Sequence, residues 1–461
     1  MLLALILFQL FHAHGFDDPY ITYRYAANLA HGDGFVYNLG VRILSTTTPL
    51  YTLILVPMAW LGLDLPLASN ALGCLSLTLS GLAFWVLGQT TGARWAGLTG
   101  LLVYPISPLL ISTLGGESAL YCALILWGCV WYLQLRYTRA TLLLSLAVLT
   151  RADGVLIVIV LLVHWVMFRR DTLPWRALLL GVLLTVPWFI WAWWYFGVPL
   201  PVTLVAKQHQ GQLPHSIHFL AGAVAYIKRY GARTLYRPYG LLGAVGLVYA
   251  VLRQRFWLLL LFWNVLYLVA YNVLGVTNYF WYYAPLTVGV IALVALGVEA
   301  VCRLLDQLKW QRIMVVSAVA LLLLLLLPAS LDLPRAVQHP DKRLVIYRRV
   351  GEWLRLHTAP DAMVGTLEVG MIGFYSERTM IDFAGLIQPE TALQLGPTTS
   401  YEDAAIWATR HFLPQYLVVR RGDFERLLHD PVATSCTPVM SFSDTTYPGL
   451  IDAYHCPTNN R

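Results

Sequence analysis

The chain has 461 residues, of which 58% are hydrophobic and only 12% are charged, and its formal net charge is +7. A soluble domain carries about 25% charged residues, so this composition excludes a water-soluble globular protein of this length. The basic residues stand in small clusters between apolar runs. That distribution indicates membrane topology and argues against a nucleic-acid partner.

About eleven apolar segments are predicted to cross the bilayer, which takes roughly 20 residues for a helix. The 140–168 stretch is predicted as two short helices broken at its centre, and the run 49–62 as a helix lying at the interface. The first span is short and has no basic n-region, so either it is tilted or shortened, or the true start lies upstream. The predicted spans are 1–13, 68–88, 95–113, 118–135, 140–150, 155–168, 177–195, 238–252, 256–274, 284–302 and 313–331.

The basic clusters orient these spans. If the N-terminus is cytoplasmic and 49–62 does not cross, all of the clusters fall on one side, which the positive-inside rule assigns to the cytoplasm. We therefore expect an integral protein of the cell (plasma or inner) membrane, in contact with membrane lipids, whose loops 14–67 and 196–237 face outward. The clusters are Arg94; Arg136 and Arg139; Arg169, Arg170 and Arg176; Arg253 and Arg255; and Arg303, Lys309 and Arg312.

Charged residues, Pro and Gly return after residue 331. An amphipathic helix is predicted over 341–357, and short strands over 363–367, 379–383 and 416–420. The fold class is thus an all-α polytopic membrane domain over 1–331 and a small extracytoplasmic α/β domain over 332–461. The second domain either binds an acceptor or caps the outer face. Its Cys436 and Cys456 could form a disulfide outside the cytoplasm.

Two adjacent carboxylates open the first outer loop. Asp17 and Asp18 directly follow the first span, and Pro19 comes next. Carboxylates in this position can serve as a general base or hold a divalent cation. Alternatively, Asp18 simply caps a helix that runs to about Leu29.

Further motifs extend this loop: Asp-Asp-x-Tyr-Ile-x-x-Arg-Tyr from Asp17, Gly-x-Gly-x-Val-Tyr-Asn from Gly32, and Thr-Thr-Pro-Leu from Thr47. With them the loop resembles that of the GT-C membrane glycosyltransferases, in particular the branch of the bacterial terminal arabinofuranosyltransferases. Three later segments continue the resemblance in order on the predicted outer face. They are Gly115–Ser118, Arg151–Gly154 and Pro199–Lys207. Val41, Ala152 and Val202 depart from the residues usual in the family.

The resemblance implies a GT-C-like fold, a polyprenyl-phosphate sugar as donor, and a glycan, lipid or protein as acceptor. An inverting transfer requires a base for the acceptor hydroxyl and positive charge for the leaving phosphate. We expect an Asp base, and a divalent cation (Mg, Mn or Ca) is an optional addition on Asp17 and Asp18. The expected catalytic residues are Asp17, Asp18 and Glu117, and the expected substrate-binding residues are Tyr20, Arg24, Arg151, Asp153, Lys207 and His209.

Each of these residues also has a structural interpretation. Glu117 could be a helix N-terminal acid, Arg24 could pair with an acid of its own loop, and Lys207 could be a solvated lysine. Arg151 and Asp153 could form only an ion pair at the tip of a hairpin. For the whole chain, the alternatives are another lipid-linked group transferase of the same fold and a transporter or flippase. Transporters carry ionisable groups at mid-membrane on broken helices, whereas the acids here lie at the outer boundary.

Overall fold

The computed structural model describes residues 1–169, 174–338 and 341–457. Arg170 lies outside the described residues, as do 339–340 and 458–461 of the predicted second domain. The described part folds into an apolar helical bundle with a mixed α/β domain on one end. The bundle helices are α1 Leu2–Phe11, α2 Pro19–His31, α3 Pro49–Trp60, α4 Leu65–Thr91, α5 Arg94–Val103, α6 Pro108–Ile111, α7 Ser118–Leu133, α8 Tyr137–Thr150, α9 Val155–His164, α10 Trp175–Phe196, α11 Thr203–Gly211, α12 Phe219–Gly231, α13 Arg237–Arg253, α14 Leu258–Leu274, α15 Leu286–Gln307 and α16 Gln311–Gln338.

Seven helical segments within the described residues are long and apolar enough to cross a membrane. They coincide with seven predicted spans, and the chain is an integral membrane protein. Four shorter apolar helices, α1, α3, α7 and α8, accompany them. The segments are Leu65–Thr91, Ala152–Arg169, Trp175–Phe196, Thr234–Arg253, Arg255–Leu274, Phe280–Gln307 and Gln311–Val337.

The prediction of one continuous helix over 95–113 is wrong. The chain there is helical from Arg94 to Val103, forms a 3₁₀ turn from Tyr104 to Ile106, and becomes helical again only from Pro108. Ser107 has extended backbone angles, because the ring of the following proline disfavours the helical region for the residue before it. Pro105 also lacks the N–H that a continuing helix would use.

One end of the bundle collects the basic clusters. The Gln254 side chain donates to the Thr91 carbonyl at 3.2 Å, Arg303 donates to the Gly92 carbonyl, and the Arg169 guanidinium lies 5.6 Å from the Phe256 ring centre. The opposite end carries the turns that follow α1, α8, α10 and α14. We call it the loop end. The side of the membrane on which each end lies stays a prediction.

A buried carboxylate fixes the basic end. Glu299 of α15 accepts the backbone N–H groups of Trp95 and Ala96 at 2.8 and 3.2 Å, and it also accepts the Arg303 side chain at 2.7 Å. The first N–H groups of a helix have no partner within that helix. Glu299 therefore accepts hydrogen bonds from the first N–H groups of α5, although it belongs to a neighbouring helix. The Arg303 guanidinium compensates the negative charge of Glu299.

The C-terminal domain contains a five-stranded sheet with the strand order β2-β1-β3-β5-β4. The first three strands in space are parallel, and β5 and β4 form an antiparallel hairpin. The disulfide between Cys436 and Cys456 joins the two ends of this hairpin. The elements are α17 Arg343–His357, β1 Met363–Thr366, α18 Met371–Ser376, β2 Thr379–Asp382, α19 Pro389–Ala392, α20 Tyr401–Phe412, β3 Tyr416–Arg420, α21 Glu425–His429, β4 Thr437–Asp444 and β5 Tyr447–His455.

The two faces of the sheet pack against different layers. Leu417 and Val419 of β3 pack in a core with α20. Val418 packs instead in a core with α17 and with the first loop of the membrane part, including Tyr23 and Tyr37. Because side chains alternate along a strand, one face of the sheet packs against helices of its own domain, and the other face packs against the membrane part. The two regions share a hydrophobic core.

Candidate active site

The loop end brings together Asp18 and Lys207. Asp18 directly precedes α2, and its Oδ2 atom lies 3.6 Å from the Lys207 Nζ. Asp18 occupies the N-cap position, but its side chain makes no capping hydrogen bond. Its side chain is 30% exposed, whereas that of Lys207 is only 6% exposed. The burial of Lys207 excludes the interpretation as a solvated loop lysine.

The position of Lys207 follows from how α11 is held. At the start of the helix, the Val202 N–H donates to the Leu44 carbonyl of the first loop at 2.9 Å. On the opposite side, Gln208 donates to the Leu274 carbonyl at 3.0 Å. These bonds fix α11 between the first loop and the end of α14, so its buried face points into the space between them.

Three aromatic rings surround the Lys207 ammonium, with centres at 5.4 Å for Tyr279, 5.5 Å for Trp281 and 5.1 Å for Tyr282. Burial by itself lowers the pKa of Lys207, but the Asp18 carboxylate and Tyr282 outweigh it and raise that pKa above the ordinary value. Aromatic faces attract a cation. Lys207 therefore holds a fixed positive charge in this pocket at neutral pH.

A second charged cluster also approaches Tyr282. Arg151 Nη1 donates to Glu117 Oε1 at 2.8 Å, and Nη2 donates to Asp153 Oδ2 at 2.8 Å. The Arg151 guanidinium lies 5.9 Å from the Tyr282 ring centre. Glu117 sits at the N-cap position of α7 but makes no capping bond. Glu117 and Arg151 therefore form an ion pair that joins two loops.

Two tyrosines that the sequence analysis missed complete this cluster. Arg151 Nη2 also donates to the hydroxyls of Tyr271 at 2.7 Å and Tyr267 at 3.2 Å, and the Tyr271 hydroxyl donates to Asp153. Their spacing of four residues places both on one face of α14. That spacing, near the end of a predicted span that borders the outer face, was the available signal.

The hairpin tip holds Arg151 at a fixed position. Arg151 ends α8 with extended backbone angles, and Ala152–Gly154 form a 3₁₀ turn. A Cβ atom on Gly154 would lie 2.8 Å from the Val148 nitrogen and 2.9 Å from the Ala147 carbonyl carbon. Only glycine allows the two chain segments to approach this closely.

Asp17 points away from this pocket and into the C-terminal domain. Its Oδ1 accepts the Met371 N–H at 2.7 Å, and its Oδ2 accepts the Gly370 N–H at 3.1 Å. Burial, followed by the nearby Glu368 carboxylate, raises the pKa of Asp17 to about 7. The structure thus separates the two adjacent aspartates, because Asp18 faces Lys207 and Asp17 joins the two domains.

Three of the expected substrate-binding residues also contact the C-terminal domain. Arg24 donates to the carbonyls of Tyr37, Gly373 and Arg378 at 2.9, 2.7 and 2.6 Å, and the described residues contain no acid in an ion pair with it. The Tyr20 ring packs against Phe374 and Tyr375. His209 Nδ1 lies 2.8 Å from the Leu395 carbonyl oxygen.

The carboxylates do not share one position for a cation. Both Asp17 oxygens accept backbone N–H groups, while Asp18 faces an ammonium. Among the described residues no group of three or more His, Cys, Asp or Glu side chains is placed to hold a metal ion. The metal role of Asp17 and Asp18 stays a prediction, and this arrangement of their oxygens does not fit it.

Comparison with known proteins adds to this geometry. A family model described as a domain of unknown function (DUF8728) matches residues 337–454. A terminal β-(1→2)-arabinofuranosyltransferase of Mycobacterium tuberculosis (strain ATCC 25618 / H37Rv) is 31% identical over 224 residues, covering 42% of this chain and 35% of the relative. The match thus spans about a third of the length of that relative.

Solved structures match over nearly the whole chain. ArnT from Cupriavidus metallidurans, bound to undecaprenyl phosphate, superimposes with a TM-score of 0.62 at 12% identity, covering 98% of this chain and 96% of ArnT. The chain therefore shares the fold of this protein. The Archaeoglobus fulgidus oligosaccharyltransferase, in complex with Zn and sulfate, matches this chain with a TM-score of 0.56 at 14% identity, covering 99% of this chain and 73% of the enzyme. The predicted GT-C-like fold is confirmed.

Proposed function

We propose that this chain, whose fold is GT-C-like, transfers a sugar from a polyprenyl-phosphate donor to a hydroxyl group of a glycan, lipid or protein acceptor. The observation that carries the proposal is the buried Lys207 ammonium facing the partly exposed Asp18 carboxylate at 3.6 Å. ArnT, which superimposes over nearly the whole chain, is bound to undecaprenyl phosphate. That ligand has the same chemistry as the leaving group of the proposed reaction.

Asp18 is the candidate base because it is the accessible carboxylate of the site. Asp17 is committed to backbone N–H groups, and Glu117 is paired with Arg151 at 2.8 Å. The contact of Asp18 with Lys207 is longer than a direct hydrogen bond, so its oxygens can accept an acceptor hydroxyl. Asp18 takes the hydroxyl proton as that oxygen attacks the anomeric carbon.

Lys207 is the candidate partner of the leaving phosphate. As the bond between the anomeric carbon and the phosphate oxygen breaks, its electron pair stays on the phosphate and negative charge develops there. A preorganised ammonium in a water-poor site stabilises that charge. The donors of Arg151 are occupied by Glu117, Asp153 and the two tyrosines. Arg151 therefore acts as a positioning residue in this proposal.

The test uses purified full-length protein with a panel of polyprenyl-phosphate sugars and an extract of candidate acceptors, and it measures the release of polyprenyl phosphate. Asp18→Asn should abolish release that depends on the acceptor. Asp33→Asn is the matched control, because Asp33 is an exposed acid of the same loop. Equal release from wild type and Asp18→Asn would remove Asp18 from catalysis. No release with any donor, by protein shown to be folded, would overturn the proposed transfer.

A further inference from the structure

A cavity of about 270 Å³ lies in the C-terminal domain and shares no lining residue with the Asp18–Lys207 pair. It opens where the adjacent parallel strands β1 and β3 end, beside Thr366 and Arg420. From β1 the chain passes to β2 on one side, and α20 returns it to β3 on the other side of β1. Ligands of open α/β sheets bind at such points, outside the carboxyl ends of the strands.

The crevice is lined by charges of both signs and by aromatic rings. The Tyr347 and Tyr447 rings lie 6.0 Å apart, tilted by 59°. Arg420 lies 6.0 Å from the Tyr447 ring centre and 3.5 Å from Asp423 Oδ2. Besides Thr366, the polar lining consists of Arg343, Tyr347, Glu368, Arg420, Asp423 and Tyr447.

These groups are held in place before any ligand binds. Arg343 Nη2 donates to Asp341 Oδ2 at 2.7 Å, and Arg420 Nη2 donates to the Pro448 carbonyl at 3.2 Å. Burial raises the pKa of Glu368, and Arg343 and Tyr347 act in the opposite direction. A preformed concave site with a few fixed polar groups is the usual form of a small-molecule site.

The balance of charge selects the class of ligand. An anion would be attracted by Arg343 and Arg420 but repelled by Glu368 and Asp423, and a cation would meet the reverse. A polyhydroxylated neutral ring can donate to the carboxylates and accept from the guanidinium groups at the same time, while its C–H face packs on a tyrosine ring. We propose that this crevice binds a neutral saccharide unit.

The crevice backs onto the candidate active site. The segment from Thr366 to Met371 lines it at one end, and at the other end donates the Gly370 and Met371 N–H groups to Asp17. The neighbouring Asp18 faces Lys207. A sugar in the crevice is therefore placed to be a remote unit of the acceptor glycan. This use rests on the proposed transferase function, whereas saccharide binding itself does not.

The experiment measures binding to the full chain in detergent by saturation-transfer difference NMR. The probes are methyl glycosides of pentoses and hexoses, short oligosaccharides of the same sugars, and inorganic phosphate. At least one saccharide should bind, and Glu368→Gln should weaken its binding at least tenfold. Glu390→Gln is the matched control, because Glu390 is exposed in the same domain and does not line the crevice. Tyr347→Phe, which keeps the ring and removes the hydroxyl, supplies a second variant if Glu368→Gln fails to fold.

Saturation transfer to no saccharide, or equal transfer in wild type, Glu368→Gln and Tyr347→Phe, would overturn the proposal. Displacement of a bound saccharide by inorganic phosphate would also overturn it, because it would mark an anion site. Release of polyprenyl phosphate is recorded in parallel. Saccharide binding that persists in protein without transfer activity would separate this site from a failure of the proposed function.

Discussion

Replacing Lys207 by methionine tests the central electrostatic argument. The substitution keeps an unbranched apolar chain among the three aromatic rings and removes the charge. At 3.6 Å from Asp18, an effective dielectric constant of about 20 gives an interaction of about 4–5 kcal/mol between unit charges. A leaving phosphate oxygen held at a similar distance loses an amount of the same order. We expect kcat to fall about 100–1,000-fold, the range found when one preorganised donor to a developing anion is removed.

The assay is the release of polyprenyl phosphate at saturating donor, with the thermal midpoint recorded to show that the variant is folded. Lys228→Met is the matched control, because Lys228 is an exposed lysine of the same loop region. Lys207→Arg should recover part of the rate, since it keeps the charge but places a larger planar group among the rings. A folded Lys207→Met variant that retains more than a third of the wild-type kcat would refute the role of Lys207.

Three further predictions concern contacts that stabilise the fold. Gly370→Ala should destabilise the protein by about 1–3 kcal/mol, because its Cβ would lie 2.1 Å from the Asp17 carbonyl oxygen. Gly396→Ala is the control, because a Cβ atom on Gly396 would have no heavy atom within 4 Å, and it should leave the thermal midpoint unchanged. Equal midpoints for Gly370→Ala and Gly396→Ala would contradict the prediction for Gly370. Glu299→Ala should cost about 2 kcal/mol by leaving the buried N–H groups of α5 without their acceptor, and Glu299→Gln should cost less in the same thermal scan. The free energy of unfolding of wild type should fall as the pH rises from about 4 to about 7. In this range the Asp17 carboxyl loses its proton in the unfolded state. In the folded state, where its pKa is about 7, it retains that proton. Asp17→Asn should flatten this slope. The remainder comes from Asp382, whose pKa burial also raises to about 7, and from Glu368, whose pKa burial raises as well. An unchanged slope would exclude Asp17 as its source.

The sequence predicted those features that depend on local pattern. Hydrophobic length located seven spans, and the charge pattern placed Asp18, Glu117, Arg151 and Lys207 at one end, where the structure pairs them. The helix predicted over 341–357 runs from Arg343 to His357. These outcomes need only the periodicity of a helix and the high free-energy cost of placing charge in lipid.

Features that depend on distant contacts were not predictable. Nothing near Asp17 or Arg24 indicates that each binds backbone groups of the C-terminal domain, and both looked like site residues because they lie beside Asp18. The β4–β5 hairpin was missed because Pro438, Pro448 and Gly449 interrupt its strand pattern. Such residues are depleted in strands, and here pairing with β3 overrides that preference.

The contact between Arg24 and the C-terminal domain also sets an order of events during synthesis. Arg24 donates to the Gly373 carbonyl, which lies 349 residues further along the chain. At about 5–20 residues per second, the ribosome needs roughly 20–70 s to make that partner. Throughout this interval the aromatic residues of the first loop, among them Tyr20 and Tyr37, have no C-terminal core to pack against. The loop that carries Asp18 is therefore one of the last parts of the protein to reach its native form, and a stalled or truncated chain would leave it open to aggregation and proteolysis.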